Sequence, residues 1–397
     1  MTARPRVLYL SGWPIGAHGE GAVSFVYEQI EALAAVVDAV YADVRFESLE
    51  RYAGRILSGT TITPIRNLWP DGVRAVDVRV PRWSTRVTRR TLLEDVWRAG
   101  VKVARRLASE LGPFDLVHAH VVLPGGLMGA GIATTLNVPL VLQEHSGPFE
   151  MHLDTGEKKE RVRQVLRAAC VVAAVSDELA RRMAPWCNDP GRIQVIPNLL
   201  RTDLFPATPI PREHSVLRLV TVGSLHPVKA LDTLISSVAL VKGQGQAVSL
   251  RIVGDGDLGD DLARRAADLG LAYDVTFTGA LSRRDTARAI GESHLYVCSS
   301  RHETFGLAPA EALSSGRPVV STRCGGPEAF VDDSCGALVA IDDPRAMSEA
   351  ILRTWNRLDQ FDPVAMHERV DARFGLDVFR RRVRGLYDVI LGDRAAA

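Results

Sequence analysis

Two glutamates at a fixed spacing are the first residues in this sequence whose types could do chemistry. Glu303 and Glu311 lie on either side of Gly306, between a strand predicted at His294 to Ser300 and a helix that Gly316 stops. A strand, a glycine turn and a helix N-terminus in succession present free backbone N–H groups and the positive end of a helix dipole, which is how α/β folds hold phosphates. Glu311 could accept hydrogen bonds from two ribose hydroxyls, and Glu303 could reach a second group of hydroxyls. The alternative is that both are solvated charges with an accidental spacing.

The start of that helix decides which backbone groups face a ligand. Pro309 suits the first helical turn, where its missing N–H costs nothing, so the helix is predicted to begin near Leu307 or Ala308. Gly306 allows the backbone to approach a ligand closely. Glu311 then lies one turn into the helix.

A lysine stands at a strand-to-helix turn earlier in the same half of the chain. Leu217 to Val222 is predicted as a strand, and Lys229 closes the loop before an amphipathic helix over residues 230–241. A lysine at this position can meet a diphosphate as a compact cation. Gly254 and Gly279 follow two further predicted strands, and ligands of open α/β sheets lie at the carboxyl ends of strands.

The first half of the chain also places polar residues after strands. His118 and His120 end a predicted strand and face the same side of it. A metal site would need a third ligand, and none stands at a recognisable spacing. Glu144 and His145 follow the next strand, predicted over residues 139–143, and are candidates for contacting a second substrate or form a satisfied polar cluster.

A glycine-rich loop follows the first predicted strand, Arg6 to Ser11. A dinucleotide fingerprint would need its glycines directly after the strand, whereas Gly19 and Gly21 come late and Ser24 stands where the third glycine belongs. Asp43 lies about 20 residues further on, as an NAD-binding acid would. A dehydrogenase is therefore not excluded by this segment alone.

Composition limits the class of protein. A chain of 397 residues with 46% hydrophobic residues fits two domains of about 200 residues each. The net charge of +1 predicts neither nucleic-acid binding nor disorder. Five cysteines without a C-x-x-C pair indicate reduced thiols in a cytoplasmic protein. No apolar stretch approaches the roughly 20 residues that a membrane-spanning helix needs, and the apolar run after Arg6 is too short for a signal peptide.

Residues 46–90 have poor periodicity and are predicted as an irregular insertion of the kind that carries specificity. A basic stretch overlaps its end and consists of Arg82, Arg86, Arg89, Arg90, Arg98, Lys102, Arg105 and Arg106. It indicates either a surface for anionic lipid or a phosphorylated substrate, or a solvated helix face whose arginine stems cover apolar surface. The first alternative would give peripheral contact with the inner face of a membrane.

Strands and helices alternate in both halves, and the strands are apolar as in parallel sheets. The predicted fold class is therefore α/β, with two doubly wound Rossmann-like domains. A segment with three prolines, Phe205 to Pro211, has neither helical nor strand period and marks the boundary. We expect domains at 1–206 and 213–375 with a linker at 207–212, and a break at Phe374-Gly375 in the last helical stretch.

The second half resembles the retaining GT-B glycosyltransferases, in particular the large family with an E-x7-E signature (family four, group 1 type). The resembling segments are Leu295 to Leu307, Glu311 to Leu313, Gly316 to Val320 and Gly325 to Glu328. The resemblance implies two parallel-sheet domains facing a central cleft, with a last helix, 376–397, that packs back on the first domain. It also implies retaining transfer of a hexosyl unit from a nucleoside diphosphate sugar, UDP first and GDP second, to a hydroxyl acceptor such as a glycan, a lipid-linked intermediate or a small molecule. No metal, no cofactor beyond that co-substrate and no nucleic-acid partner is implied.

The resemblance assigns roles residue by residue. Glu303 meets the donor sugar, Lys229 the diphosphate, and His120 the donor sugar or acceptor, so these three are the expected catalytic residues. The expected donor-binding residues are Gly19, Gly21, Ser224, Lys229, Gly254, Gly279, Phe305, Gly306, Leu307 and Glu311. Glu144 and His145 are expected on the acceptor side, and His118 is expected to be structural.

The sequence departs from the family pattern at two loops. Ser224 stands where the family carries a phosphate-binding arginine, so His226 or Arg301 is a candidate replacement. Glu20 separates two glycines that are usually adjacent. Two alternative functions remain open: a nucleotide-sugar epimerase of the same fold, and a sugar-nucleotide-binding module that has lost turnover.

Overall fold

The structure is a computed structural model of the chain that describes residues 4–11, 24–48, 62–64, 72–82, 91–212 and 215–396. Contacts divide the chain into two compact units. The first comprises Met1–Asn198 and Phe379–Ala397, and the second comprises Leu199–Val378.

The first unit is built on a sheet to which eight described strands contribute. These strands are β1 (Arg6–Leu10), β2 (Asp38–Ser48), β3 (Ile62–Pro64), β4 (Val73–Arg82), β5 (Leu116–His120), β6 (Leu140–Glu144), β7 (Val171–Ala174) and β8 (Ile193–Val195). Their order is β3-β4-β2-β1-β5-β6-β7-β8, and all neighbours are parallel except β3 and β4. The helices are α1 (Ser24–Ala34), α2 (Leu92–Leu111), α3 (Leu127–Leu136), α4 (Gly156–Ala168) and α5 (Asp177–Met183).

Sequence patterns explain why several of these elements form. Val26, Ile30 and Leu33, whose spacing predicts one helical face, are fully buried on α1. The Ser176 side chain accepts a hydrogen bond from the Leu179 N–H and so caps the N-terminus of α5.

The second unit contains six described strands, all parallel, in the order β11-β10-β9-β12-β13-β14. They are β9 (Leu217–Val222), β10 (Val248–Val253), β11 (Val275–Phe277), β12 (Leu295–Cys298), β13 (Val319–Thr322) and β14 (Gly336–Val339). The helices are α6 (Leu231–Gly243), α7 (Gly259–Asp268), α8 (Arg283–Gly291), α9 (Leu307–Ser314), α10 (Pro344–Trp355) and α11 (Pro363–Phe374). Leucines, isoleucines and valines of β9, β10, β12, α6 and α10 form its core.

Short helical turns complete both units. They are Val122–Gly126, Phe149–His152, Ala184–Trp186, Pro190–Arg192, Pro227–Lys229, Gly326–Ala329 and Leu358–Gln360. Two of them, after β5 and β9, stand at the points where the strand order reverses, and these are the positions where open α/β sheets bind ligands.

The last helix, α12 (Leu376–Ala396), begins after the predicted break at Gly375 and runs from the second unit into the first. Arg380 Nε donates to the Ala32 carbonyl at 2.8 Å, and Arg384 Nη1 donates to the Val36 carbonyl at 2.8 Å. These bonds attach α12 to the end of α1 within the first unit.

The structure differs from the sequence-based prediction in two stretches of the chain. The region expected to be irregular contains β4, which pairs with β2 in parallel over its whole length. Segment 207–212 lies within the second unit, where Arg317 Nη2 donates to the carbonyls of Thr208 at 2.8 Å and Pro209 at 3.0 Å. Among the helices of the described ranges, none combines the length and the apolar composition that crossing a membrane requires.

Candidate active site

Lys229 and Glu303 meet at the carboxyl ends of the neighbouring strands β9 and β12. Lys229 ends the turn after β9, and its Nζ lies 2.6 Å from Glu303 Oε1. Ser300 Oγ donates to the same oxygen at 2.7 Å. Burial lowers the pKa of Lys229, but the charge and hydrogen bond of Glu303 outweigh that effect, so the pKa is raised and the ammonium stays charged.

The backbone around Glu303 is fixed by the loop after β13. The Glu303 N–H donates to the Cys324 carbonyl at 2.8 Å, and the Gly326 N–H donates to the Glu303 carbonyl at 2.7 Å. A Cβ at position 326 would lie 2.3 Å from the carbonyl carbon of Phe305, so only glycine fits there. The glycine pair Gly325-Gly326 thus holds the Glu303 loop by backbone contact.

The helix α9 begins at Leu307, as its sequence predicts. Gly306 precedes it with φ 85° and ψ 62°, a left-handed conformation that suits glycine. The first N–H groups of α9 have no partner within the helix, as at every helix N-terminus. The Phe305 ring packs on those of Phe330 and Phe374, with centroids 5.8 Å and 5.1 Å away. Phe305 therefore has only its backbone to offer a ligand, while its side chain anchors the loop in the core.

Glu311 is buried one turn into α9 and pairs with an arginine that the sequence analysis missed. Arg283 Nη1 lies 2.5 Å from Glu311 Oε1, and its guanidinium lies over the Phe205 ring at 4.8 Å. Burial raises the pKa of Glu311, and Arg283 opposes that shift. Arg283 could have been suspected because it opens α8 soon after Gly279, at the carboxyl end of β11.

Three glycine-containing loops pack backbone to backbone after β9, β10 and β11. The Gly223 N–H donates to the Val253 carbonyl at 2.9 Å, and the Gly254 N–H donates to the Gly279 carbonyl at 2.9 Å. A Cβ on Gly254 would lie 1.9 Å from the Gly223 carbonyl oxygen, which excludes any other residue there. Ser224 is exposed beside this arrangement.

Arg301, a candidate to replace the family's arginine, is engaged elsewhere. Its Nε donates to Asp342 Oδ2 at 2.9 Å, and its Nη1 donates to the Pro227 carbonyl at 2.5 Å. The Arg301 N–H also donates to the Val228 carbonyl at 2.7 Å. Arg301 thus holds the turn that presents Lys229.

The first unit gathers histidines at the carboxyl ends of β5 and β6. The rings of His118 and His120 stack with centroids 4.7 Å apart, on the same side of β5 as predicted. His118 Nδ1 lies 2.5 Å from the hydroxyl of Tyr387 on α12, which lies 3.2 Å from the hydroxyl of Tyr9. Burial lowers the pKa of His118 to about 3, so it is neutral at physiological pH.

A second polar group surrounds His120. His120 Nδ1 lies 2.9 Å from His145 Nε2, and His145 Nδ1 lies 2.8 Å from Asn198 Oδ1. Gln29 Nε2 donates to the same Asn198 oxygen at 2.9 Å. Burial lowers the pKa of His145 to about 3 and that of His120 well below its usual value. Sequence spacing predicted neither Gln29 nor Asn198, since they lie far apart along the chain.

Glu144 lies in a polar cluster whose hydrogen bonds are satisfied, which is one of the two interpretations of this residue given above. Its Oε2 accepts from the Val122 N–H at 2.6 Å, and its Oε1 accepts from the N–H groups of His145 at 2.9 Å and Ser146 at 2.7 Å, and from the Ser146 hydroxyl. The carboxylate is fully buried. It fixes the turn after β5, where Val121 adopts φ 67°, an unusual conformation for a β-branched residue.

The remaining predictions concern residues that are not part of these clusters. Gly19 and Gly21 fall outside the described residues. On α2, Arg98 pairs with Glu94 at 3.5 Å and Arg106 pairs with Glu110 at 2.6 Å, so part of the basic stretch is neutralised on its own helix. Within the described part of the chain, no group of three or more His, Cys, Asp or Glu side chains could hold a metal ion.

Two family models match successive parts of the chain. The model described as Glycosyltransferase Family 4 matches residues 20–204, and the model described as Glycosyl transferases group 1 matches residues 217–357. A D-inositol 3-phosphate glycosyltransferase of Nocardioides sp. is 30% identical over 282 residues, which are 62% of this chain and 60% of that protein. The chain thus spans about three fifths of the length of this curated relative.

Solved structures share the fold over almost the whole chain. HepE of Anabaena, crystallised in complex with UDP and glucose, has a TM-score of 0.73 at 16% identity and covers 97% of this chain and 100% of its own. A sucrose-phosphate synthase of Thermosynechococcus elongatus has a TM-score of 0.75 at 18% identity, covering 98% and 100%. The two matching models, the relative and the two parallel-sheet units agree: the chain belongs to the group 1, family 4 glycosyltransferases and has their GT-B fold.

Proposed function

We propose that this protein transfers a hexosyl unit from a nucleoside diphosphate sugar to a hydroxyl acceptor, with retention of anomeric configuration and without a metal ion. The observation that carries the proposal is the 2.6 Å contact between Lys229 and Glu303 beside the N-terminus of α9. It combines a cation for a diphosphate, a carboxylate for sugar hydroxyls and backbone N–H groups for phosphate oxygens in one place.

The chemical problem is a departing diphosphate next to an oxocarbenium-like sugar. Lys229 and the N–H groups near Gly306 and Leu307 would stabilise the negative charge as it develops, since charge stabilisation by fixed groups is usually the largest catalytic contribution. The acceptor hydroxyl would attack on the face that the phosphate leaves, and that phosphate would take the acceptor's proton. Glu303 would accept hydrogen bonds from the donor sugar.

The nucleoside would lie toward the carboxyl ends of β10 and β11. Gly254 and Gly279 would line the base, and Glu311 would accept the ribose hydroxyls while it shares its charge with Arg283. Gly19 and Gly21 would meet the phosphates and His120 a sugar hydroxyl, as the family resemblance implies. Ser224 would donate one neutral hydrogen bond where the family has an arginine.

Two comparisons favour particular substrates. The structural neighbour from Anabaena was solved with UDP and glucose, which favours UDP over GDP as the donor nucleotide. The sequence relatives are named D-inositol 3-phosphate glycosyltransferases, which favours a small phosphorylated cyclitol as the acceptor. D-inositol 3-phosphate is therefore the first acceptor to test.

The basic stretch is proposed as a peripheral contact for an anionic membrane surface. Lys102 and Arg105 are exposed on α2 and form no ion pair with other described residues, so their charges are available. Sedimentation with phosphatidylserine-containing vesicles, compared with neutral vesicles, tests this contact. Equal binding to both vesicle types would leave the stretch as a solvated helix face.

Thermal unfolding with UDP, GDP, ADP, TDP and NAD, each with and without magnesium, tests the donor site. A ligand at about a hundred times its dissociation constant stabilises the native state by roughly 2.7 kcal/mol. We expect UDP to raise the melting temperature equally with and without magnesium. A shift only with NAD would contradict the transferase proposal, and a shift only with magnesium would contradict metal independence.

Product analysis tests the reaction itself. UDP-glucose and D-inositol 3-phosphate are incubated with the protein, and NMR reads the anomeric configuration of the product. We expect an α-linked product from the α-linked donor. A new sugar nucleotide formed without acceptor would indicate an epimerase, and UDP binding without any turnover would indicate an inactive binding module.

A further inference from the structure

Four buried side chains of the first unit form a continuous hydrogen-bonded row. Gln29 on α1 donates to Asn198, Asn198 contacts His145, and His145 contacts His120, at 2.9, 2.8 and 2.9 Å. We call this set of four residues the amide–histidine row. Each member is nine-tenths or more buried.

The direction of each bond follows from the Asn198 oxygen. An amide oxygen can only accept, so Asn198 Oδ1 takes hydrogens from Gln29 Nε2 and from His145 Nδ1. Burial lowers the pKa of His145 to about 3, so His145 is a neutral imidazole with a single N–H. With its hydrogen on Nδ1, its Nε2 must be an acceptor.

The same reasoning continues to His120. The acceptor His145 Nε2 requires a hydrogen on His120 Nδ1. Burial also keeps His120 neutral, so its Nε2 carries a lone pair and no hydrogen. The row therefore sets the tautomer of a histidine at the carboxyl end of β5.

The lone pair of His120 has no partner among the residues that the structure describes. His120 Nε2 is buried and receives no hydrogen bond from any residue in the described ranges. A buried acceptor left without a donor is destabilising. A hydroxyl of a bound ligand would supply the missing donor.

We propose that Gln29, Asn198 and His145 are positioning residues that hold His120 Nε2 as a hydrogen-bond acceptor for a hydroxyl of the bound sugar. The proposal rests on the proposed function and deepens it. It assigns His145, expected to contact the acceptor directly, to orienting His120 instead. A neutral acceptor can select a hydroxyl in one orientation without adding a charge to the site.

The tautomers can be read directly in the free protein. Protein labelled with ¹⁵N at histidine is measured by long-range ¹H–¹⁵N correlation NMR, and His120→Gln and His145→Gln variants assign the two rings. We expect hydrogens on Nδ1 and bare Nε2 atoms in both rings at pH 7. A hydrogen on His120 Nε2 would overturn the proposal, whatever the protein's activity.

Substitution of Asn198 distinguishes a role in positioning His120 from a purely structural role. Asn198→Leu removes the oxygen that begins the row, and Asn198→Asp keeps an acceptor oxygen. We expect Asn198→Leu to lose the fixed tautomers and to lower kcat about 10- to 100-fold, the range found when the outer hydrogen-bond partner of a metal-bound histidine is removed, with little change in UDP affinity. Asn198→Asp should recover most of the loss.

Asn137→Gly is the matched control, because Asn137 ends α3 in the same unit at φ 54°, a conformation that glycine adopts readily. It should leave tautomers and kcat unchanged. Tautomers and kcat that are unaffected by Asn198→Leu would refute the proposal. UDP binding is measured separately by thermal shift. If the wild-type protein shows the expected tautomers but binds no nucleotide, that result counts against the proposed function and not against the amide–histidine row.

Discussion

Each charged side chain of the second unit's site already has a partner of opposite charge. Lys229 pairs with Glu303, and Glu311 pairs with Arg283. A nucleotide sugar would therefore exchange existing hydrogen bonds for new ones, and only the difference contributes to its affinity. The pairs also keep buried charges compensated while no ligand is bound.

Replacement of Lys229 tests the proposed diphosphate contact. Lys229→Met removes the ammonium and leaves Glu303 without its cation, so we expect UDP affinity to fall about tenfold or more, since hydrogen bonds to charged groups contribute about 1.5–3 kcal/mol. Isothermal titration calorimetry measures the change. Lys242→Met is the matched control, because Lys242 pairs with Asp274 at 2.7 Å on the surface of the same unit. An equal loss in both variants would show that only net charge matters.

Replacement of Glu144 tests its structural role. In Glu144→Gln an amide NH₂ replaces one of two oxygens that face backbone N–H donors, so we expect the free energy of unfolding to fall by about 2 kcal/mol or more. Urea unfolding monitors the change. The exposed Glu150, paired with Arg182, provides the comparison Glu150→Gln, which should change stability by under about 0.5 kcal/mol. Similar small effects in both variants would contradict the structural role.

At the scale of secondary-structure elements, the site is positioned by loops that contact each other through their backbones. The loop after β13 touches the loop after β12 through Gly326, and the loop after β10 touches the loop after β9 through Gly254. Such contacts transmit small displacements directly, because no flexible side chain lies between the two loops.

Gly326→Ala tests this coupling. The added Cβ would lie 2.3 Å from the Phe305 backbone, so the loop that carries Glu303 must move. We expect a loss of about 2–3 kcal/mol in stability and weaker UDP binding. Gly243→Ala, at the end of α6 where a Cβ meets no atom within 4 Å, should change neither quantity appreciably. Unchanged UDP affinity in Gly326→Ala would show that the loop accommodates the methyl group elsewhere.

Local patterns predicted most elements around the site. Apolar runs located β9 and β12, and proline and glycine located the start of α9, because these signals act over a few residues. The strand β4 was missed although Val76, Val78 and Val80 alternate with charged residues, because nearby prolines and tryptophans obscured the period.

Contacts between distant residues were beyond sequence reasoning. Nothing in the spacing of Gln29 and Asn198, or of Arg283 and Glu311, indicates that they touch, since such pairs are created by the packing of whole elements. The family resemblance implies roles for Glu303 and Lys229 that stay predictions, and it does not indicate the partners that hold these side chains.

At the scale of the whole molecule, buried histidines link stability of the first unit to pH. Burial lowers the pKa of His118 and His145 to about 3, whereas an unfolded histidine titrates near 6.5. Between these values the unfolded chain binds more protons, so stability is present above about pH 6.5 and is lost as pH falls.

We therefore expect the first unit to lose roughly 2 kcal/mol for each of these two histidines between pH 7 and pH 5. Urea unfolding at the two pH values measures the difference. The double variant His118→Gln, His145→Gln should show a shallower dependence on pH, whatever its stability at pH 7. An identical slope in the variant and the wild type would assign the dependence to other groups.

The contribution of α12 to the first unit has a consequence for synthesis on the ribosome. Tyr387 bonds His118, and Arg380 and Arg384 bond the end of α1, yet these residues are made after the entire second unit. Domains fold largely as units as the chain emerges, and N-terminal ones commonly fold first. Here the second unit is continuous in sequence and can complete its core while the first still lacks a helix. Of the two units, we therefore expect the one whose translation begins earlier to complete its folding later.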